Sequence, residues 1–214
     1  MRSGSVVPRR HAADRLAELG LTVSIIERVV RRADAEASTC TELDPPIMEG
    51  LMRWARTNRY LREELVPLGW DYDNPRNLAR TIHPSGQFAI VAATGDELTG
   101  LAGLLPTTKY ARGEATAHAV HANGQLTLFD MDGVGTDDDD ELLTWFLLFH
   151  SDDHEFRAEL SLPNQIIEGR ITGWAERIIL PPFPRGPVVS DSVALDDRVG
   201  DGQDGHVVVE ISRR

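Results

Sequence analysis

The run Leu142 to Phe149 restricts the folding of this chain more than any other stretch: it is almost wholly apolar, carries Trp145, Phe146 and Phe149, and is flanked by turn residues. A segment so short and aromatic fits a central β-strand better than a helix, which would be too short to span a core. Ser151-Asp152-Asp153 then supplies a hairpin turn. Beyond it Phe156, Ala158, Leu160 and Leu162 alternate with Arg157, Glu159 and Ser161, the two-residue period of a half-buried antiparallel strand. An antiparallel hairpin over residues 142–162 is therefore expected.

The front of the chain reads as helical. A first helix covers residues 11–19, with Leu16 and Leu19 at helical spacing and Gly20 as its stop. Thr22 can cap a second helix whose apolar face holds Ile25, Ile26, Val29 and Val30, with Glu27, Arg28, Arg31 and Arg32 elsewhere. After the break at Pro45-Pro46, the pattern Ile47, Leu51, Trp54, Leu61 and Leu65 marks a third helix that ends before Pro67 and Gly69. The loop Gly69 to Asn77 is expected to be tied to the core through Trp70 and Tyr72, and Phe88 to Ala93 reads as a strand. Residues 98–112 match no regular element. Ala115, Ala117, Ala119 and Ala122 favour a short helix from Glu114 to Ala122, terminated by Asn123-Gly124.

Past the hairpin, Ile166, Ile167 and Ile171 belong to a further strand or short helix, and Arg177 to Leu180 is extended until Pro181-Pro182 halts it. Residues 1–10 hold Gly4, Pro8 and three arginines without apolar periodicity and are expected to be disordered. Residues 184–214 lack a core pattern and read as a largely flexible acidic tail, within which Val207 to Ile211 is apolar enough to return as an edge strand. The expected fold is a single α+β domain over 11–183, with N-terminal helices packed on an antiparallel β-sheet.

Between Asn123-Gly124 and Asp130 stands Gln125-Leu126-Thr127-Leu128-Phe129, followed by the glycines of Asp132-Gly133-Val134-Gly135 and the unbroken acids Asp137 to Asp140. Dense like charges favour solvent, so the segment should border an exposed loop at about 123–141. The pattern Gln-Leu-x-Leu-Phe resembles the linear motif by which bacterial replication and repair proteins dock on the β sliding clamp. The match covers five of 214 residues. It implies that Leu128 and Phe129 fill an apolar pocket on the clamp, that Leu126 adds apolar contact and that Gln125 fixes register. Each buried apolar side chain of that kind stabilises by roughly 1.5–3 kcal/mol. The competing reading is a strand in which Leu126 and Leu128 face this chain's own core and Gln125, Thr127 and Phe129 face away.

Charge narrows the partners. Residues 1–64 hold 11 arginines against 10 acids, and residues 65–214 hold 11 basic residues against 24 acids, for a formal net charge of −12. A broad grip on DNA needs phosphate neutralisation by Lys and Arg, so direct nonspecific DNA binding is not expected. A local contact is another matter. Arg53, Arg56, Arg59 and Arg62 recur every third residue of the third helix, where they either line up along a phosphate backbone or acidic partner, or pair with Glu49, Glu63 and Glu64. Cys40, the one cysteine, excludes an intrachain disulfide and a cysteine-built zinc site. No run approaches a membrane span or a signal-peptide core, so a cytoplasmic protein is expected.

No nucleophile elbow or phosphate-loop spacing appears, and no catalytic residue, metal or cofactor is assigned. His150, Asp152, Asp153, His154 and Glu155 are metal-capable, but they fall in the hairpin turn, where alternate side chains diverge. The functional expectation is a non-enzymatic adaptor or modulator of DNA replication or repair docking on the sliding clamp, of a kind a phage or mobile element could encode. Two alternatives stand beside it: an acidic decoy imitating the phosphate array of DNA, and an enzyme or metal-binding protein using the His150 to Glu155 cluster.

Overall fold

The computed structural model describes residues 4–129 and 142–185, and the backbone alone for 126–129. The three N-terminal helices form as their patterns require. They are α1 (Ala12–Glu18), α2 (Val23–Ala37) and α3 (Met48–Leu65). Thr22 caps α2, its hydroxyl oxygen accepting from the Ile25 N–H at 3.2 Å. Ile25, Ile26, Val29 and Val30 are buried, so the apolar stripe of α2 is the face that meets the sheet. After α3 the chain makes a short turn through Pro67 and leaves it at Gly69, whose φ of 91° is open to glycine at no steric cost.

The strands are β1 (Ser5–Val7), β2 (Asp71–Asp73), β3 (Arg80–Ile82), β4 (Phe88–Thr94), β5 (Leu143–Ser151), β6 (Glu155–Ile167), β7 (Arg170–Ile179) and β8 (Phe183–Pro184). A fourth helix, α4 (Glu114–Phe129), lies between β4 and β5 in the chain. The sheet order is β1-β7-β6-β5-β4-β3-β2, with β8 added on β6. The fold is α+β, and the hairpin read from the sequence stands at its centre: β5 and β6 pair antiparallel from Phe146↔Ser161 to Ser151↔Phe156.

Two expectations need correcting. The sheet is mixed rather than antiparallel, because β4 pairs parallel to β5 and β1 parallel to β7. Parallel neighbours need a long crossover, usually through a helix, and α4 provides it between β4 and β5. Ser5–Val7, expected to be disordered, is an edge strand: three residues too few to show a period gain their hydrogen-bonding partners from Glu176–Ile178. Of the strand or short helix expected through Ile166, Ile167 and Ile171, the strand forms: Glu168 and Gly169 (φ 49° and 76°) make a two-residue hairpin turn that returns the chain antiparallel as β7. Residues 186–214, including the expected edge strand at 207–211, lie outside the described residues.

Alternation along the central strands divides the interior in two. Phe88, Ile90 and Ala92 of β4 and Trp145, Leu147 and Phe149 of β5 face α1–α3, together with Phe156, Ala158, Leu160 and Leu162 of β6. On the other side Val91, Ala93, Phe146 and Leu148 meet Val120 of α4 and Ile171 and Trp174 of β7. Helices thus cover both faces. That overturns the half-buried reading of β6: Arg157 is 8 % exposed, and Glu159 and Ser161 are fully buried. The cost of sinking Glu159 is offset by pairing. Arg177 donates to it through Nε (2.9 Å) and Nη2, while the Gly100 N–H (2.9 Å) and the Ser161 hydroxyl (2.8 Å) complete the carboxylate's shell. Arg177 also donates to the Leu104 carbonyl, which fastens the irregular segment 95–113 over this face.

Candidate functional site

The segment singled out from the sequence lies at the end of α4. Asn123-Gly124 was expected to stop this helix, yet it runs on to Phe129, so the backbone of Gln125 to Phe129 is helical rather than extended. The reason is tertiary. Asn123 is fully buried, and instead of capping its own helix its amide spans two strands, accepting from the Thr144 N–H (2.8 Å) and donating to the carbonyls of Thr144 (2.8 Å) and Pro163 (3.0 Å). Gly124 sits where a Cβ would lie 3.5 Å from the Asn164 carbonyl oxygen, on the irregular stretch of β6 around Pro163. Gln125, the first motif residue, is exposed, as are His121 and His118 one and two turns earlier. The side chains of Leu126, Leu128 and Phe129, and the acids Asp137 to Asp140, lie outside what the structure describes.

The arginine row of α3 is engaged within the molecule. Arg53 bridges Asp34 (3.0 Å) of α2 and Glu49, one turn back. Arg56 pairs with Glu36, and Arg59 with Glu63 at 2.7 Å. Arg62 leaves the helix face to donate to the carbonyl of Asp73 (2.9 Å) and the side chain of Asn74 (2.8 Å), with its guanidinium 4.7 Å from the centre of the Tyr72 ring. Glu64 is taken by Arg28 and Arg32. The row therefore ties α3 to α2 and to the loop after it. Trp70 is buried against His83 and Phe88, whereas Tyr72 remains half exposed beneath Arg62.

The metal-capable cluster is a turn. Asp152 accepts from the N–H groups of His154 (2.9 Å) and Glu155 (3.0 Å), and these hydrogen bonds hold its carboxyl below the ordinary carboxylate value. Burial pushes the His150 imidazole down, with the positive charge of Arg157 adding to it. Among the described residues no group of three or more His, Cys, Asp or Glu is placed to hold a metal ion.

At the opposite end of α4 from the motif is a cleft of roughly 430 Å³ that the sequence did not reveal, lined among others by Trp54, Arg76, Leu78, Val91 and Arg112. These residues come from α3, the turn before β3, β4 and the segment entering α4, separated by up to 58 positions, so no local pattern could have joined them.

No family model, curated protein or solved structure matches this chain. Function must therefore be argued from its own residues. Among the described residues no helix is long and apolar enough to cross a membrane.

Proposed function

We propose that the chain is a non-enzymatic adaptor or modulator that docks on the bacterial sliding clamp through Gln125, Leu126, Leu128 and Phe129. The observation that carries this reading is the five-residue match beginning at an exposed glutamine, two residues after Asn123, which pins α4 to β5 and β6. Residues 128 and 129 follow Gln125 by three and four positions of helical backbone, the spacing of neighbours on one side of a helix. Docking in extended form asks the last turn of α4 to unwind. Gly124 favours that step, since glycine in a helix interior costs about 1 kcal/mol relative to alanine.

The acidic-decoy reading has less support, because it needs unpaired acids over an ordered face. On α2 and α3, Glu27, Glu49, Glu63 and Glu64 are each paired with arginine. Fluorescence anisotropy with purified clamp tests the docking reading. Saturable binding that is lost on joint Leu128→Ala and Phe129→Ala replacement is the expected result. Binding that survives the double replacement, or no binding by the wild-type chain, sinks it.

A further inference from the structure

The cleft at the start of α4 combines apolar walls with positive charge that no described residue neutralises. Trp54 uses its indole N–H on the Ala92 carbonyl (3.0 Å), which fixes the ring and leaves it as an apolar surface beside Leu78 and Val91. Arg112 is half-buried, and among the described residues its guanidinium makes no hydrogen bond and no ion pair. Its position is nonetheless held: its main-chain N–H donates to the Gly169 carbonyl at 2.7 Å, against the β6–β7 turn. Arg53, Arg80, Arg177 and Arg185, similarly withdrawn from solvent, each have a carboxylate partner. Burial without a counter-ion lowers the Arg112 pKa. Arg76 lines the same cleft from a backbone held at φ 47°, a left-handed conformation that non-glycine residues adopt at a cost. Glu114, also on the lining, is exposed and does not pair with either arginine.

We propose that this cleft binds a small organic oxyanion, with the anionic group between Arg112 and Arg76 and a flat apolar body against Trp54, Leu78 and Val91. A half-buried guanidinium gains most from a ligand that brings charge and hydrogen-bond acceptors together, and a carboxylate or a phosphate does so in the geometry of its fork. The volume lies within the roughly 300–1,000 Å³ usual for small-molecule sites. This site is separate from the clamp motif, and its test does not involve the clamp.

Isothermal titration of the full chain at fixed ionic strength, with phenyl phosphate, benzoate and neutral benzyl alcohol as probes, decides the matter. At least one of the two anions is expected to bind saturably and benzyl alcohol not to; the preferred anion tells phosphate from carboxylate. Arg112→Gln should weaken that binding about tenfold or more, the loss of a charge-assisted contact, and Arg170→Gln, an exposed arginine absent from the cleft lining, should leave it unchanged. Arg76 is exposed, so Arg76→Gln carries the test where Arg112→Gln fails to fold, with about a threefold or greater weakening expected. Saturable binding by neither anion, equal binding of benzyl alcohol, or unaltered affinity in a folded Arg112→Gln or Arg76→Gln protein would overturn the proposal.

Discussion

Glu159 shows how a single side chain can depend wholly on its surroundings. Its carboxylate is sealed under the segment 95–113 and receives donors from Arg177, Gly100 and Ser161. Replacing it by glutamine keeps the size but removes the charge that balances Arg177 and turns an NH₂ group toward other donors. Breaking one side of a buried pair costs about 3–5 kcal/mol, so Glu159→Gln is expected to lower stability by at least about 3 kcal/mol in urea unfolding. A loss below about 1 kcal/mol would mean that water reaches Arg177. From sequence alone Glu159 read as a solvent-facing residue, since alternation reports which residues share a face and not what lies over that face. Asn123 is a similar case. Beside glycine it had the signature of a helix end, and only the nearness of Thr144 and Pro163 gave its amide better partners than its own backbone.

At the scale of elements, α4 is pinned through Asn123 and carries the proposed docking segment beyond that point. An alanine Cβ at position 124 would lie 3.5 Å from the Asn164 carbonyl oxygen, an ordinary contact, so the site can accept it. Gly124→Ala is expected to stabilise the helix by about 1 kcal/mol. If docking requires the last turn to unwind, the same change weakens clamp binding about fivefold. Anisotropy and urea melting on one preparation would read both effects; higher stability with unchanged affinity would show that the segment docks without unwinding. The three N-terminal helices were legible because each buries one stripe, and a stripe repeats along the chain. α4 was legible only in its first half. The row from Arg53 to Arg62 also reads differently once folded: the carboxylates of Asp34 and Glu36 come from α2, far away in sequence.

For the whole molecule, the net charge of −12 hides a balance of many local pairs, and two histidines make that balance sensitive to mild acid. Burial depresses the pKa of His83, which stacks on Phe88 and whose Nδ1 accepts from the Ser85 N–H, and burial likewise depresses that of His150. Folded, both resist protonation; unfolded, they take up protons near the ordinary value of 6.5. Their contribution is thus complete above that pH and declines as pH falls below it, until the lowered folded-state values are passed. Glu63 and Glu64, held low by arginine hydrogen bonds, act in the same direction but only below the ordinary glutamate value of 4.5. The urea midpoint is expected to fall between pH 7 and 5, and joint His83→Gln and His150→Gln replacement to flatten that slope. An equal slope in the double variant would assign it to other groups.

The residues by themselves determined the α+β class, the three N-terminal helices and the central β5–β6 hairpin, because a stripe or an alternation is a local record of which side avoids water. Only the tertiary structure decided the parallel pairing of β4 with β5, the strand at Ser5–Val7, the continuation of α4 through Gly124 and the cleft beside Arg112. Each of those depends on partners brought together across long stretches of chain, and hydrogen bonds and ion pairs of that range leave no period in the sequence.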